Sequence, residues 1–201
     1  MKICRAAWVF SAGLFPLLAF AGSQDASTAS EELNPPRFEI AAESGYLLGA
    51  FDNPNSYEIG AEFIAGRVRW GVHDNEGWLR GYNQFCITAM AEPIFRGVEN
   101  HYFGVNFGAR YNFVQPNSRL VPYFSGGLGL GWIDSHPNVP GAQGQDFTFN
   151  ILTAAGLSYQ LTENWKISAG ILYQHLSNGG QTDPNPSLNL FGPQIGLSYS
   201  F

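Results

Sequence analysis

From residue 103 to residue 113 every second side chain is apolar: Phe103, Val105, Phe107, Ala109, Tyr111 and Phe113 fall on one face, and Gly104, Asn106, Gly108, Arg110 and Asn112 on the other. The same alternation runs through 165–173 and 191–201. A period of two is the signature of a β-strand with two different environments on its faces. No window beyond the N-terminal segment keeps a helical period over a dozen residues. Clusters of Gly, Pro, Asn and Asp divide the chain into eight strands, at about 37–50, 57–71, 80–96, 101–114, 120–133, 147–161, 164–177 and 188–200. The separators include Asp52-Asn53-Pro54-Asn55, Asp74-Asn75-Glu76-Gly77, Gln115-Pro116-Asn117-Ser118 and the 178–187 loop. Globular strands average about 5–6 residues, and a tilted strand crossing a bilayer needs about 9–11. These segments meet the second requirement and far exceed the first.

Length, even count and one apolar face predict an all-β, eight-stranded antiparallel transmembrane β-barrel. The composition agrees. Charged residues make up 13% of the chain, against about 25% in a soluble domain. A soluble sandwich would line its second face with Lys, Glu and Thr. Here that face is Gly, Ser, Asn and Gln, with scattered charges such as Arg110 and Glu62, which suits the narrow lumen of a small barrel. The aromatic content of 15% argues against disorder, and the net charge of −6 against nucleic-acid binding. The chain ends on an alternating strand with an aromatic residue, Phe201, which resembles the C-terminal signal of bacterial outer-membrane barrels.

Residues 1–21 read as a secretory signal peptide: Lys2 and Arg5 lead, Trp8 to Phe20 is apolar, and Ala19-Phe20-Ala21 is a cleavage motif. Residues 22–36 are small, polar and acidic and read as a flexible leader, so the barrel spans 37–201. Loss of Lys2 and Arg5 takes the mature chain from −6 to −8. Cys4 leaves with the signal, and Cys86 then has no intramolecular partner. With both termini in the periplasm, the turns at 115–119 and 162–163 are periplasmic, and the loops at 134–146 and 178–187 are external.

Polar residues with chemical potential gather at 175–189. His175 and Ser177 are two apart on the seventh strand, so they leave the same face as Trp165, Ile167, Ile171 and Tyr173, the lipid side. Asn189 shares the parity of Phe191 and Ile195, and the last hairpin brings it beside His175 and Ser177. Polar groups on a lipid face are costly unless they work or sit at the interface. Serine needs a base to become a nucleophile, imidazole is that base near neutral pH, and an amide can hold the imidazole in one tautomer. Backbone amides around Gly179-Gly180, with Asn178 and Asn185, are candidate oxyanion donors.

The string Gln174-His175-Leu176-Ser177-Asn178-Gly179-Gly180, followed by Asn185-Pro186-Ser187-Leu188-Asn189, resembles the C-terminal signature of the PagL family of outer-membrane lipid A 3-O-deacylases. Val121-Pro122-Tyr123-Phe124, Gly126-Gly127-Leu128-Gly129 and the stretch 143–149 are also similar to that family. The resemblance implies an eight-stranded barrel in the bacterial outer membrane whose site lies on the outside wall near the outer leaflet. By position it implies His175 as base, Ser177 as nucleophile, and Asn178, Gly180 and Asn185 as shapers of the oxyanion hole or its turn. It implies lipid A of lipopolysaccharide as substrate, membrane lipid around the wall, no cofactor, no metal and no nucleic acid, and it allows a homodimer. The chain departs from the family at Asn189, where the best-known members carry Glu; Asp183 is an alternative acid.

Other motifs carry less. Gly126-Gly127-x-Gly129-x-Gly131 lies in a strand pattern with no following helix, so lumen packing explains it better than a nucleotide loop. His73, His101 and His136 lack metal-ligand spacing and read as loop or interface residues. Trp70, Trp78, Trp132 and Trp165 read as interfacial anchors, and Cys86 as a small buried hydrophobe. Two rival functions use the same scaffold: a non-catalytic barrel that is structural or adhesive, and a soluble periplasmic lipid-binding barrel.

Overall fold

In the computed structural model, eight antiparallel strands close on themselves in sequence order. The structure describes residues 35–50, 56–74 and 77–201. The signal peptide, most of the leader and the Asp52-Asn53-Pro54-Asn55 separator lie outside them. The strands are β1 (Phe38–Gly49), β2 (Glu58–His73), β3 (Gly81–Arg96), β4 (His101–Phe113), β5 (Leu120–Ile133), β6 (Phe147–Gln160), β7 (Trp165–Ser177) and β8 (Leu188–Ser200). Each pairs with its neighbour, and β1 closes the ring on β8 through Ile40↔Tyr199 and Ala42↔Leu197. Closure leaves no strand edge, which is what a sheet in hydrocarbon requires.

The alternation resolves into wall and lumen. Phe103, Phe107, Ile167, Ile171, Ile195 and Leu197 face outward and are exposed. Outward aromatics form two belts. Trp78 stacks on Phe113, Trp165 meets Tyr199 edge-on and Phe38 stacks on Phe201 at the end that holds both termini. At the opposite end Trp132 meets Phe147, Phe147 meets Phe149, and Tyr46 stacks on Phe95. Two belts mark the two membrane interfaces.

The lumen differs from the expected uniform polar lining. In its lower half an ion network links four strands: Arg67 donates to Glu39 at 2.8 Å and to Glu43, Lys166 reaches Glu39 at 2.5 Å, and Arg110 lies 4.0 Å from Glu43. Arg110 lies 3.6 Å over the Tyr123 ring and donates to Ser158 at 2.7 Å. Its upper half is largely apolar, with Leu47, Ile59, Phe63, Met90, Leu172, Leu176, Leu188 and Leu190 packed together. Glu62 is a correction. On β2 the inward positions are Ile59, Ala61, Phe63, Ala65 and Arg67, so Glu62 points out of the barrel, where Ser44 donates to it at 2.8 Å. Polarity did not reveal the face because β2 turns apolar side chains inward.

The glycines of β5 are packing residues. A Cβ on Gly127 would lie 2.1 Å from Asn106 Oδ1, and one on Gly129 would lie 2.0 Å from the Val105 carbonyl. The lumen volume there belongs to the Asn106–Asn150 hydrogen bond of 2.7 Å. Cys86 is a free thiol, half-buried near Arg67 and Arg110.

Candidate functional site

The last hairpin sets the site. β7 and β8 pair as Tyr173↔Phe191, His175↔Asn189 and Leu176↔Leu188, so His175 and Asn189 stand directly opposite on the outer wall. Asn189 Oδ1 lies 2.8 Å from His175 Nδ1. The hydroxyl of Tyr173, one outward position below His175, donates to the same oxygen at 2.8 Å. An amide oxygen that meets Nδ1 keeps the proton there and leaves Nε2 with its lone pair. Ser177, one outward position above, pairs across to Phe149 on β6. Among the described residues no hydrogen bond joins Ser177 to His175. The group lies beside the upper aromatic belt, at the end of the barrel away from the termini.

Behind this outward row, the inward neighbours lock β7. Gln174 is fully buried, and its Nε2 donates to both carboxylate oxygens of Glu92, at 2.9 and 3.0 Å. Leu172 and Leu176 pack into the upper lumen. The strand that carries His175 is therefore anchored across the barrel to β3.

The 178–187 loop is held by its own amides. Asn178 turns inward, fully buried, and its Nδ2 donates to the carbonyls of Thr182 (2.7 Å) and Pro184 (3.3 Å). Asn178 Oδ1 accepts from Gly180 N at 2.9 Å, and Asn185 Oδ1 accepts from Asn178 N at 3.0 Å. Gly179 and Gly180 both have left-handed φ, 68° and 74°, which glycine adopts without steric cost. Asn178, Gly180 and Asn185 thus shape the turn. Asp183 stays in the exposed part of the loop, and no hydrogen bond joins it to His175 among the described residues.

A second loop braces the first. Gly144 N donates to the Pro184 carbonyl at 2.7 Å. Gln145 Nε2 donates to Gln181 Oε1 at 2.8 Å, and Thr182 donates to Gln145 Oε1 at 2.5 Å. A Cβ on Gly144 would meet the Asp183 carbonyl at 2.7 Å, so only glycine allows this approach. Tyr173, Gln174 with Glu92, and Gly144 with Gln145 were not singled out from sequence as site residues. Parity gave Tyr173 its face, but nothing in sequence gave it a partner. No group of three or more metal-ligating side chains occurs among the described residues.

Residues 56–198 match the family described as lipid A 3-O-deacylase (PagL). The chain belongs to the PagL family. The crystal structure of the outer membrane enzyme PagL matches with a TM-score of 0.58 at 19% identity, over 79% of this chain and 97% of that one. Neisserial surface protein A matches with a TM-score of 0.61 at 16% identity, over 82% of this chain and 97% of that one. The N-terminal β-barrel domain of Pseudomonas aeruginosa OprF matches at 0.50 and 19% identity, over 83% and 98%. No curated protein matches the sequence. At these identities the structural likenesses speak for the fold; membership rests on the PagL family match. Fold and family make the chain a bacterial outer-membrane barrel of the lipid A 3-O-deacylase family.

Proposed function

We propose that this PagL-family barrel is a serine esterase that removes the ester-linked 3-hydroxyacyl chain at position 3 of lipid A. The observation that carries the reading is the His175 Nδ1–Asn189 Oδ1 hydrogen bond of 2.8 Å, on the lipid-facing wall and one outward position from Ser177. A polar row at the outer interface is what a membrane-embedded ester can reach by lateral diffusion.

In the reaction, Ser177 Oγ forms a bond to the ester carbonyl carbon as its proton passes to His175 Nε2. The oxyanion is met by donors of the 178–187 turn, Gly179 N and Asn185 Nδ2, the Asn185 oxygen being held by Asn178 N. The carbon–oxygen bond to the sugar then breaks, and His175 returns the proton to the sugar oxygen. Water, deprotonated by the same Nε2, cleaves the acyl-enzyme and frees a 3-hydroxy fatty acid. Asn189 orients the imidazole but brings only a dipole to the imidazolium.

The test is mass spectrometry of lipid A from cells that export the wild-type chain or Ser177→Ala. The reading expects wild type alone to remove one 3-hydroxyacyl chain. A second reading, a non-catalytic barrel, is favoured by the amide at 189 and by the missing Ser177–His175 hydrogen bond. Unchanged lipid A from both cultures, with both barrels folded in the outer membrane, would favour it.

A further inference from the structure

We infer that the lower lumen holds a binding site for one small monovalent anion of halide size, beside Arg67, Arg110 and Cys86. The starting point is a charge imbalance. Three cations, Arg67, Arg110 and Lys166, meet two carboxylates, Glu39 and Glu43, inside the barrel. One positive charge is left over. A buried charge without a counter-charge is among the costliest features a fold can carry.

The surplus falls on the two arginines. Lys166 sits on Glu39 at 2.5 Å, and Arg67 takes both Glu39 and Glu43. Arg110 meets one carboxylate oxygen, of Glu43, at 4.0 Å, and its hydrogen bonds go to neutral groups, Asn112 at 3.0 Å and Ser158 at 2.7 Å. Arg67 keeps one donor unmet: its Nε is buried and has no hydrogen-bond partner among the described residues. Buried donors are nearly always satisfied, and an orphan points to a water or an ion.

Both arginines line one lumen cavity of about 50 Å³. Cys86 stands beside Arg67 in the β2–β3 register and adds a thiol; Thr88 and Ser125 add hydroxyls. On β4 and β5, Gly108 and Gly127 line the same cavity without a side chain. Glu43 also borders it, but its oxygens are taken by Arg67 and Gln194. Guanidinium, thiol and hydroxyl donors around a small space suit an anion. The volume admits one halide with at most a few waters. Water alone would satisfy Arg67 Nε but leave the charge, and sulfate would bring two charges where one is missing. A halide meets both needs and completes the network that ties β1, β2, β4 and β7.

The experiment is urea unfolding of the purified barrel in zwitterionic micelles, in sodium chloride, bromide or gluconate at equal ionic strength, so that screening is the same throughout. A ligand that binds only the folded barrel raises its stability with concentration. The wild-type midpoint should rise with the logarithm of chloride or bromide concentration and stay flat in gluconate. Cys86→Asp, which fixes a carboxylate at the cavity, should lose the halide response, and Cys86→Ser should keep it. Crystals of the wild type grown in bromide should show an anomalous peak in contact with Arg67 Nε. Equal midpoints in chloride and gluconate, with no anomalous peak in the lumen, would mean that water fills the cavity and would overturn the inference. A halide response undiminished in Cys86→Asp would place the ion elsewhere and overturn it too. So would a response present in Cys86→Ser and absent in wild type, which would give the missing charge to the Cys86 thiolate. If Cys86→Asp does not fold, the wild-type bromide peak decides by its presence or absence.

Discussion

His175 and Asn189 face each other across the last hairpin of the barrel, their side chains joined at 2.8 Å on the wall that meets lipid. The pair gives the imidazole direction without a compensating charge. An Asp-to-Asn change in a serine protease triad costs about 10⁴ in turnover. Asn189→Asp is expected to raise kcat by at least about tenfold, measured as release of 3-hydroxy fatty acid from lipid A by the purified barrel. An unchanged or lower rate would mean that His175 does not work through this neighbour.

The site loop depends on a brace from the neighbouring loop. Gln145 accepts from Thr182 and donates to Gln181. Gln145→Ala removes both bonds, each worth about 0.5–1.5 kcal/mol, while the β7–β8 register stays. Limited proteolysis should then cut within 178–187 several-fold faster than in wild type, and turnover should fall with it. Equal cutting rates would show that Gly144 and Asn178 hold the loop by themselves.

Beneath the site, the lower lumen is closed by charge. Arg67 bonds Glu39 and Glu43 in near-complete burial, with a side-chain exposure of 6%. Replacing it with Leu leaves Glu39 to Lys166 and takes from Glu43 its nearest cation, leaving Arg110 at 4.0 Å, and removing one partner of a buried pair costs about 3–5 kcal/mol. Arg67→Leu should unfold at markedly lower urea concentration, followed by the heat-modifiable mobility of the barrel on gels. A transition within about 1 kcal/mol of wild type would mean that water already screens the network.

The barrel was legible because lipid rewards a simple pattern. Phe103 to Phe113 and Phe191 to Phe201 alternate so regularly that strand count, closure and outward face follow. The direct opposition of His175 and Asn189 was legible for the same reason, since parity and hairpin length fix which residues meet. What the pattern hid is the lumen. Parity already set Leu172 opposite Ile171 and Tyr173, but Glu62 faces outward beside inward Phe63, because an interior this narrow can be filled by apolar side chains as well as by charges. Hydrogen bonds between distant segments were beyond reach for a different reason. Gln174 with Glu92, and Gln145 with Thr182, join residues that no local period relates.

The proposed reaction requires Ser177 to be a nucleophile activated by His175 on the outer wall. A long-chain alkyl fluorophosphonate, added to the barrel in micelles and followed by peptide mass spectrometry, tests it most directly. One adduct is expected, on the peptide containing Ser177, and His175→Ala abolishes it while the barrel stays folded. An adduct on another residue, or none on a barrel that still deacylates lipid A, would contradict it.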